Sequence, residues 1–190
     1  ALQYLVSTEK TEAIDICTRQ LKIARNMTEE SAALRELVFS GSARAKESKE
    51  SSLLAFYQKW KSEPLVVDLW LGIQASCPLE GTLSKVKELM QHESFDLKIP
   101  NRVRALISQF ASSNFVNFHN ISGDGYKFLG DRVAELNEIN PQIASRLMVP
   151  LTRWRKYDET RQDMMKRELA RILEIKSLSS DVYEIASKSL

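Results

Sequence analysis

A few groups of residues in this 190-residue chain have the types and spacing that could do chemistry. His92-Glu93 opens as H-E-x-x-H would, a motif in which two imidazoles one helical turn apart bind zinc and the glutamate acts as base. Position 96 is Asp, so the second imidazole is missing. The two histidines, His92 and His119, and the two cysteines, Cys17 and Cys77, are too few and too scattered for a four-ligand structural zinc site. Asn120, Ser122, Asp124, Gly125 and Asp131 fall on positions of the calcium-loop template. That template starts here on a neutral amide and ends on Asp where a bidentate Glu is required, so the stretch reads as a Gly-rich turn with Asp124 capping the next helix. Lys98, Arg102 and Arg104 form one basic group; Arg146, Arg153, Arg155 and Lys156 form another around Trp154. Basic residues interleaved with an aromatic can hold nucleic acid, but Asp158, Glu159 and Asp163 follow at once, which favours a solvated or salt-bridged face. No phosphate-cradling loop, nucleophile elbow or Cys–His pair is legible. The expectation is a chain with no catalytic residue and no metal site of its own.

The elements that would position these groups are helices. Six glycines and five prolines leave little material for the tight turns of a β-sandwich or barrel, and no stretch sustains period-2 alternation. Ile14, Ile16, Leu21 and Ile23 mark a first helix ending near Asn26, and Thr28 is placed as the cap of the next, which Gly41 stops. Pro64 opens a helix whose Leu65, Val66, Leu69, Trp70 and Ile73 cover enough circumference to be buried on most sides, and Pro78 ends it. Leu83, Val86, Leu89 and Met90 define another, and Val103, Leu106, Ile107 and Phe110 a further one behind Pro100. The longest irregular segment is expected over 112–125. Asn140-Pro141 is a cap followed by a first helical residue, Pro150 should kink that helix, and Asp158 and Ser180 or Asp181 start the last two. Breaks about every 20 residues predict an all-α, right-handed superhelical array of stacked helical hairpins, HEAT- or armadillo-like and without a sheet. A compact bundle is the alternative.

The 27 Lys and Arg against 25 Asp and Glu give a net charge of +2, far from the excess of a dedicated nucleic-acid binder. Two cysteines make no disulfide framework and point to a reducing compartment. The longest apolar stretch, 65–73, is interrupted by Asp68 and too short to span a membrane. The opening Ala-Leu-Gln-Tyr-Leu-Val-Ser lacks both the pattern of a secretory signal and an initiator Met, so a cytoplasmic location and a piece of something longer are expected.

Particular strings say more. Asn26-Met27-Thr28, Gln91-His92-Glu93-Ser94-Phe95, Pro100-Asn101-Arg102-Val103-Arg104-Ala105-Leu106-Ile107 and Gly123-Asp124-Gly125-Tyr126 occur in that order. Asn140-Pro141-Gln142-Ile143-Ala144-Ser145-Arg146-Leu147 and Arg155-Lys156-Tyr157-Asp158 follow. Collinearly, from about Asn26 to the end, the chain resembles the C-terminal helical domain of bacterial aminopeptidase N, a gluzincin-type zinc alanyl aminopeptidase. Ala1 to Arg25 carries no such signature.

The resemblance implies that residues 1–190 are a single helical unit, the later part of the C-terminal domain of a larger aminopeptidase. That domain closes over the active site and controls the access of peptides. Zinc and the catalytic residues, H-E-x-x-H, a distant Glu and a G-A-M-E-N loop, belong to a catalytic domain absent here. The chain itself binds no cofactor. Its implied partners are that catalytic domain and peptide substrates, with no nucleic acid and no membrane. By resemblance, Arg104, Gln142 and Arg146 match positions lining the substrate cavity, where a guanidinium can meet the far carboxylate of a short peptide. Gln142 and Arg146 are four residues apart and share a helix face. The unplaced N-terminal end is expected to expose an apolar patch. The competing readings are a free-standing helical-repeat interaction module and a nucleic-acid binder resting on Arg153 to Lys156.

Overall fold

A computed structural model describes residues 2–8 and 10–190, and among these every regular element is helical. In chain order they are α1 (Leu2–Val6), α2 (Thr11–Ile23), α3 (Met27–Phe39), α4 (Ala43–Trp60), α5 (Pro64–Ala75), α6 (Thr82–Leu89) and α7 (Pro100–Val103). A π-helical turn (Arg104–Ser108) leads into α8 (Gln109–Ser113), then α9 (Phe115–Phe118), α10 (Asp124–Ile139), α11 (Pro141–Leu147) and α12 (Val149–Thr152). A 3₁₀ turn (Trp154–Lys156), α13 (Glu159–Leu173) and α14 (Ser180–Ser189) complete the chain. Helices pack mainly on near neighbours in sequence: α2 on α3, α3 on α4 and α5, α5 on α6 and the π turn, α10 on α11 and α13. That is the pattern of a stacked array, in which each hairpin buries its apolar faces against the next.

Capping residues set most boundaries. Asn140 Oδ1 accepts from Ile143 N at 3.2 Å with Pro141 in the first turn, and Asp158 Oδ1 accepts from Arg161 N at 3.1 Å, as expected. The cap of α3 is Asn26 rather than Thr28. Its Oδ1 accepts from Glu29 N at 2.9 Å, and the Glu29 carboxylate returns to Arg25 N at 3.1 Å, a reciprocal arrangement that Thr28 could not make two residues later. Asp124 does not cap α10 either: Gly123, at φ 76°, occupies that position, and Asp124 is the first helical residue. Pro150 separates two helices instead of kinking one. The chain turns at Met148 and restarts with Pro150 in the first turn of α12, where its missing N–H costs nothing.

The segment 112–125 is less irregular than expected, and the longest irregular stretch is instead 90–99. The reason is Asn114, which is 2% exposed. Its Oδ1 caps α9 through Asn117 N, while its Nδ2 donates to the carbonyls of Ala75 (3.0 Å), the last residue of α5, and of Cys77 (2.7 Å) just beyond it. One buried amide thus starts a helix and satisfies orphan acceptors of another.

The core runs the length of the array from Leu34 to Ala186, with a smaller cluster of Val6, Ile14, Cys17, Ala33, Leu37 and Ala45. Helix α5 is less enclosed than its composition suggested. Trp70 and Leu71 are buried, but Leu65, in the first turn of α5, is 75% exposed. Near the N-terminal end the apolar side chains Tyr4 and Leu5 of α1 and Ile16 and Ile23 of α2 are exposed.

Candidate functional site

Helices α3, α5, the π turn with α8, and α11 follow one another through direct contacts. A groove of about 500 Å³ lies between α3, α5 and the π turn, bordered by Arg35, Asp68, Leu69, Gly72, Ala105 and Gln109. Arg104, the first residue of the π turn, is exposed beside it. The π turn also touches α11, on which Gln142 and Arg146 are both exposed one helical turn apart. Neither side chain has a hydrogen-bond or ion-pair partner among the described residues. The structure therefore sets the three residues on touching elements, with Gln142 and Arg146 facing outward together.

The basic group at 98–104 does not act as a unit. Arg102 is drawn inward against α5, where Nη1 bonds Asp68 Oδ1 and the carbonyl of Pro64, and the two paired side chains are only 11% and 17% exposed. Arg104, two residues later, donates from Nη1 to Asn101 Oδ1 at 2.9 Å and meets no carboxylate among the described residues. The second basic group is also partly engaged. The Arg155 guanidinium lies 4.0 Å over the Trp154 ring, Lys166 approaches it at 5.2 Å, and Trp154 Nε1 donates to Ser189 O at 2.9 Å. A ring covered by its own cations offers little face to a base.

The remaining candidates hold the fold together. His92 accepts from Ser94 N at Nδ1 and meets Tyr57 edge-on at 4.8 Å, and Tyr57 donates to Glu93 Oε1 at 2.8 Å. The His92-Glu93 pair thereby ties the 90–99 segment to α4. Asp131, the last position of the calcium template, is bonded to Lys127 and Arg171, each at 2.8 Å. No three His, Cys, Asp or Glu side chains among the described residues are grouped to hold a metal ion.

His119 has a role that spacing could not reveal. It is 8% exposed, and both ring nitrogens bond phenols: Nδ1 to Tyr126 Oη at 2.9 Å and Nε2 to Tyr157 Oη at 2.8 Å. A neutral imidazole donates at one nitrogen and accepts at the other, which suits two hydroxyls. The imidazolium would donate at both, leaving one phenol proton without its acceptor. Burial pushes the imidazole down from 6.5 to about 4, and Arg161 adds to the shift. The charged groups nearby are Arg161, whose Nε donates to the His119 carbonyl at 2.7 Å, and Asp158, which pairs with Arg161. Since the folded-state pKa is the lower one, this contribution is complete above pH 6.5 and is lost as the pH falls through about 4. The expected loss is about 3 kcal/mol across that window. Urea midpoints at neutral pH and near pH 4 check this. His119→Gln should flatten the slope, and an equal slope in both proteins would remove His119 from the account.

The comparisons with known proteins fit this architecture. Residues 1–190 match the family described as a domain of unknown function, DUF3458_C, made of ARM repeats. Aminopeptidase N of Haemophilus influenzae is 44% identical over 168 residues, 88% of this chain and 19% of that protein. Aminopeptidase N of Escherichia coli is 38% identical over 189 residues, 100% of this chain and 21% of that protein. The crystal structure of Legionella pneumophila aminopeptidase A in complex with aspartic acid superposes with a TM-score of 0.91 at 34% identity, over 99% of this chain and 22% of that one. The chain spans about a fifth of the length of these relatives. Among the described residues no helix is long and apolar enough to cross a membrane. An all-helical array with this sequence and this superposition belongs to the DUF3458_C family of ARM-repeat domains, the C-terminal domain of aminopeptidase N-type proteins.

Proposed function

We propose that this chain is a single helical unit forming the later part of the C-terminal domain of a cytoplasmic zinc aminopeptidase, which removes N-terminal residues from peptides. In this reading the domain closes over the active site and controls which peptides enter. The connected elements α3, α5, the π turn and α11 face the enclosed cavity. Zinc and the catalytic groups lie in the catalytic domain of the same polypeptide, and the work of this chain is electrostatic and steric.

The observation that carries the reading is the pair Gln142 and Arg146, exposed together, unpartnered among the described residues, and on a helix that touches the turn bearing Arg104. An arginine without a carboxylate neighbour keeps its charge for a ligand. An enzyme that holds a peptide by its amino terminus leaves a carboxylate at the far end, which a guanidinium can grip bidentately. Gln142, alongside, can donate to the last peptide carbonyl.

Arg146→Ala in the full-length enzyme is expected to raise KM for short peptides about tenfold, in line with the loss of one charge-assisted contact. The kcat should change little, and kinetics on an aminoacyl anilide, which has no far carboxylate, should be unaltered. A peptide preference that survives the substitution would remove Arg146 from the cavity wall.

A further inference from the structure

Two arginines of one short segment meet opposite fates. Arg102 is held by a carboxylate, Asp68, in a largely enclosed position against α5, which cancels its charge. Arg104 is held by a carboxamide, Asn101 Oδ1, at 2.9 Å and remains exposed. The spacing of three residues puts Asn101 and Arg104 on one face of the first helical turn. The backbone beneath them is fixed from two sides: Pro100 sits in the first turn of α7, and the Arg102 contacts to Asp68 and Pro64 O fasten α7 to α5.

The chemical difference between the two holders is charge. A guanidinium has five N–H donors and needs only one or two of them to be oriented. An amide oxygen orients it without neutralising it. A carboxylate in the same place would orient it equally well and cancel the attraction for any incoming anion.

We infer that Asn101 is a positioning residue for Arg104: its neutral oxygen anchors one end of the guanidinium and leaves both the charge and the remaining donor edge for a peptide carboxylate. This rests on the reading of Arg104 as cavity-lining given above. It adds a residue that touches no substrate and works through its neighbour.

The test uses the full-length enzyme with three substrates: a short peptide with a free C-terminus, the same peptide as its C-terminal amide, and an aminoacyl anilide. Asn101→Asp is nearly isosteric, keeps an acceptor, and is compatible with a first helical turn, so the fold is retained. It is expected to raise KM for the free-acid peptide about five- to tenfold, close to the effect of Arg104→Ala. Asn101→Ala, which loses only the anchoring, should raise it about two- to threefold. Neither should alter kcat, the amide substrate or the anilide. A purely structural role would shift all three substrates together and would overturn the inference. If Arg104→Ala raises KM and Asn101→Asp does not, the positioning role fails alone. If neither does, the cavity-lining reading of Arg104 fails with it. An effect of Asn101→Asp without one from Arg104→Ala would show that Asn101 does not act through Arg104, and would also overturn it.

Discussion

Asp68→Ala is expected to destabilise the fold by about 3–5 kcal/mol, the range for stripping one partner from an enclosed ion pair. Asp68 and Arg102 are 17% and 11% exposed, and their bond links α5 to α7 across 34 residues of sequence. Without Asp68, the Arg102 guanidinium retains only the Pro64 carbonyl, and its Nε is already enclosed without a partner. Water cannot readily replace the lost carboxylate, so the penalty is that of an uncompensated charge, beyond the loss of one contact. Asp68→Asn keeps an acceptor oxygen and should cost less, about 1–3 kcal/mol. The double variant Asp68→Ala with Arg102→Met should recover most of the loss, because removing both charges also removes their desolvation cost. Denaturant midpoints of the three proteins make the check. A double variant as unstable as Asp68→Ala would mean that α5 and α7 depend on the ion pair itself for their packing.

Gly125→Ala is expected to cost about 2–3 kcal/mol, the scale of a forced overpacking. In an ordinary helix the change would gain stability, since Ala outranks Gly by roughly 1 kcal/mol. Here the sign reverses. A Cβ on Gly125 would stand 2.4 Å from the carbonyl oxygen of Phe118 and 2.9 Å from its Cα, so α10 and α9 could not keep their present spacing. The obstacle is backbone, with no rotamer to turn away. Gly130 is the useful contrast. A Cβ there would meet Glu168 Oε2 at 2.4 Å and Arg171 Nη2 at 2.6 Å, the mobile ends of long side chains. Gly130→Ala should therefore lie within about 1 kcal/mol of the parent, the helix gain offsetting the displaced contacts. Thermal midpoints of the two alanine variants should separate clearly, and equal midpoints would discount the close approach at Phe118.

Much of the architecture could be read from local chemistry. Asn140-Pro141 and Asp158 start helices where they were expected to, because a cap bonds the N–H of a residue three positions on and needs nothing distant. The errors have the same origin. Asn26 and Thr28 are both competent caps, and the choice between them rests on a second bond from Glu29. Asn114 was legible only as a loop residue, since its partners Ala75 and Cys77 lie in another part of the sequence. The candidate site was legible as strings and as one helical face, Gln142 with Arg146. The division of labour between Arg102 and Arg104 was not.

Residue types and their spacing determined that this chain is helical and where most helices begin, while particular strings carry its resemblance to a family. Periodicity fixes the face a side chain occupies around its own helix axis. It does not say which neighbour that face will meet. Tertiary structure alone decided that Arg102 is neutralised by Asp68 while Arg104 is not, that Gly125 serves a close approach while Gly123 provides the left-handed turn, and that His119 is locked between two tyrosines. The Asp68–Arg102, Phe118–Gly125 and His119 contacts join residues seven to 38 positions apart, and their geometry is set only when the array stacks.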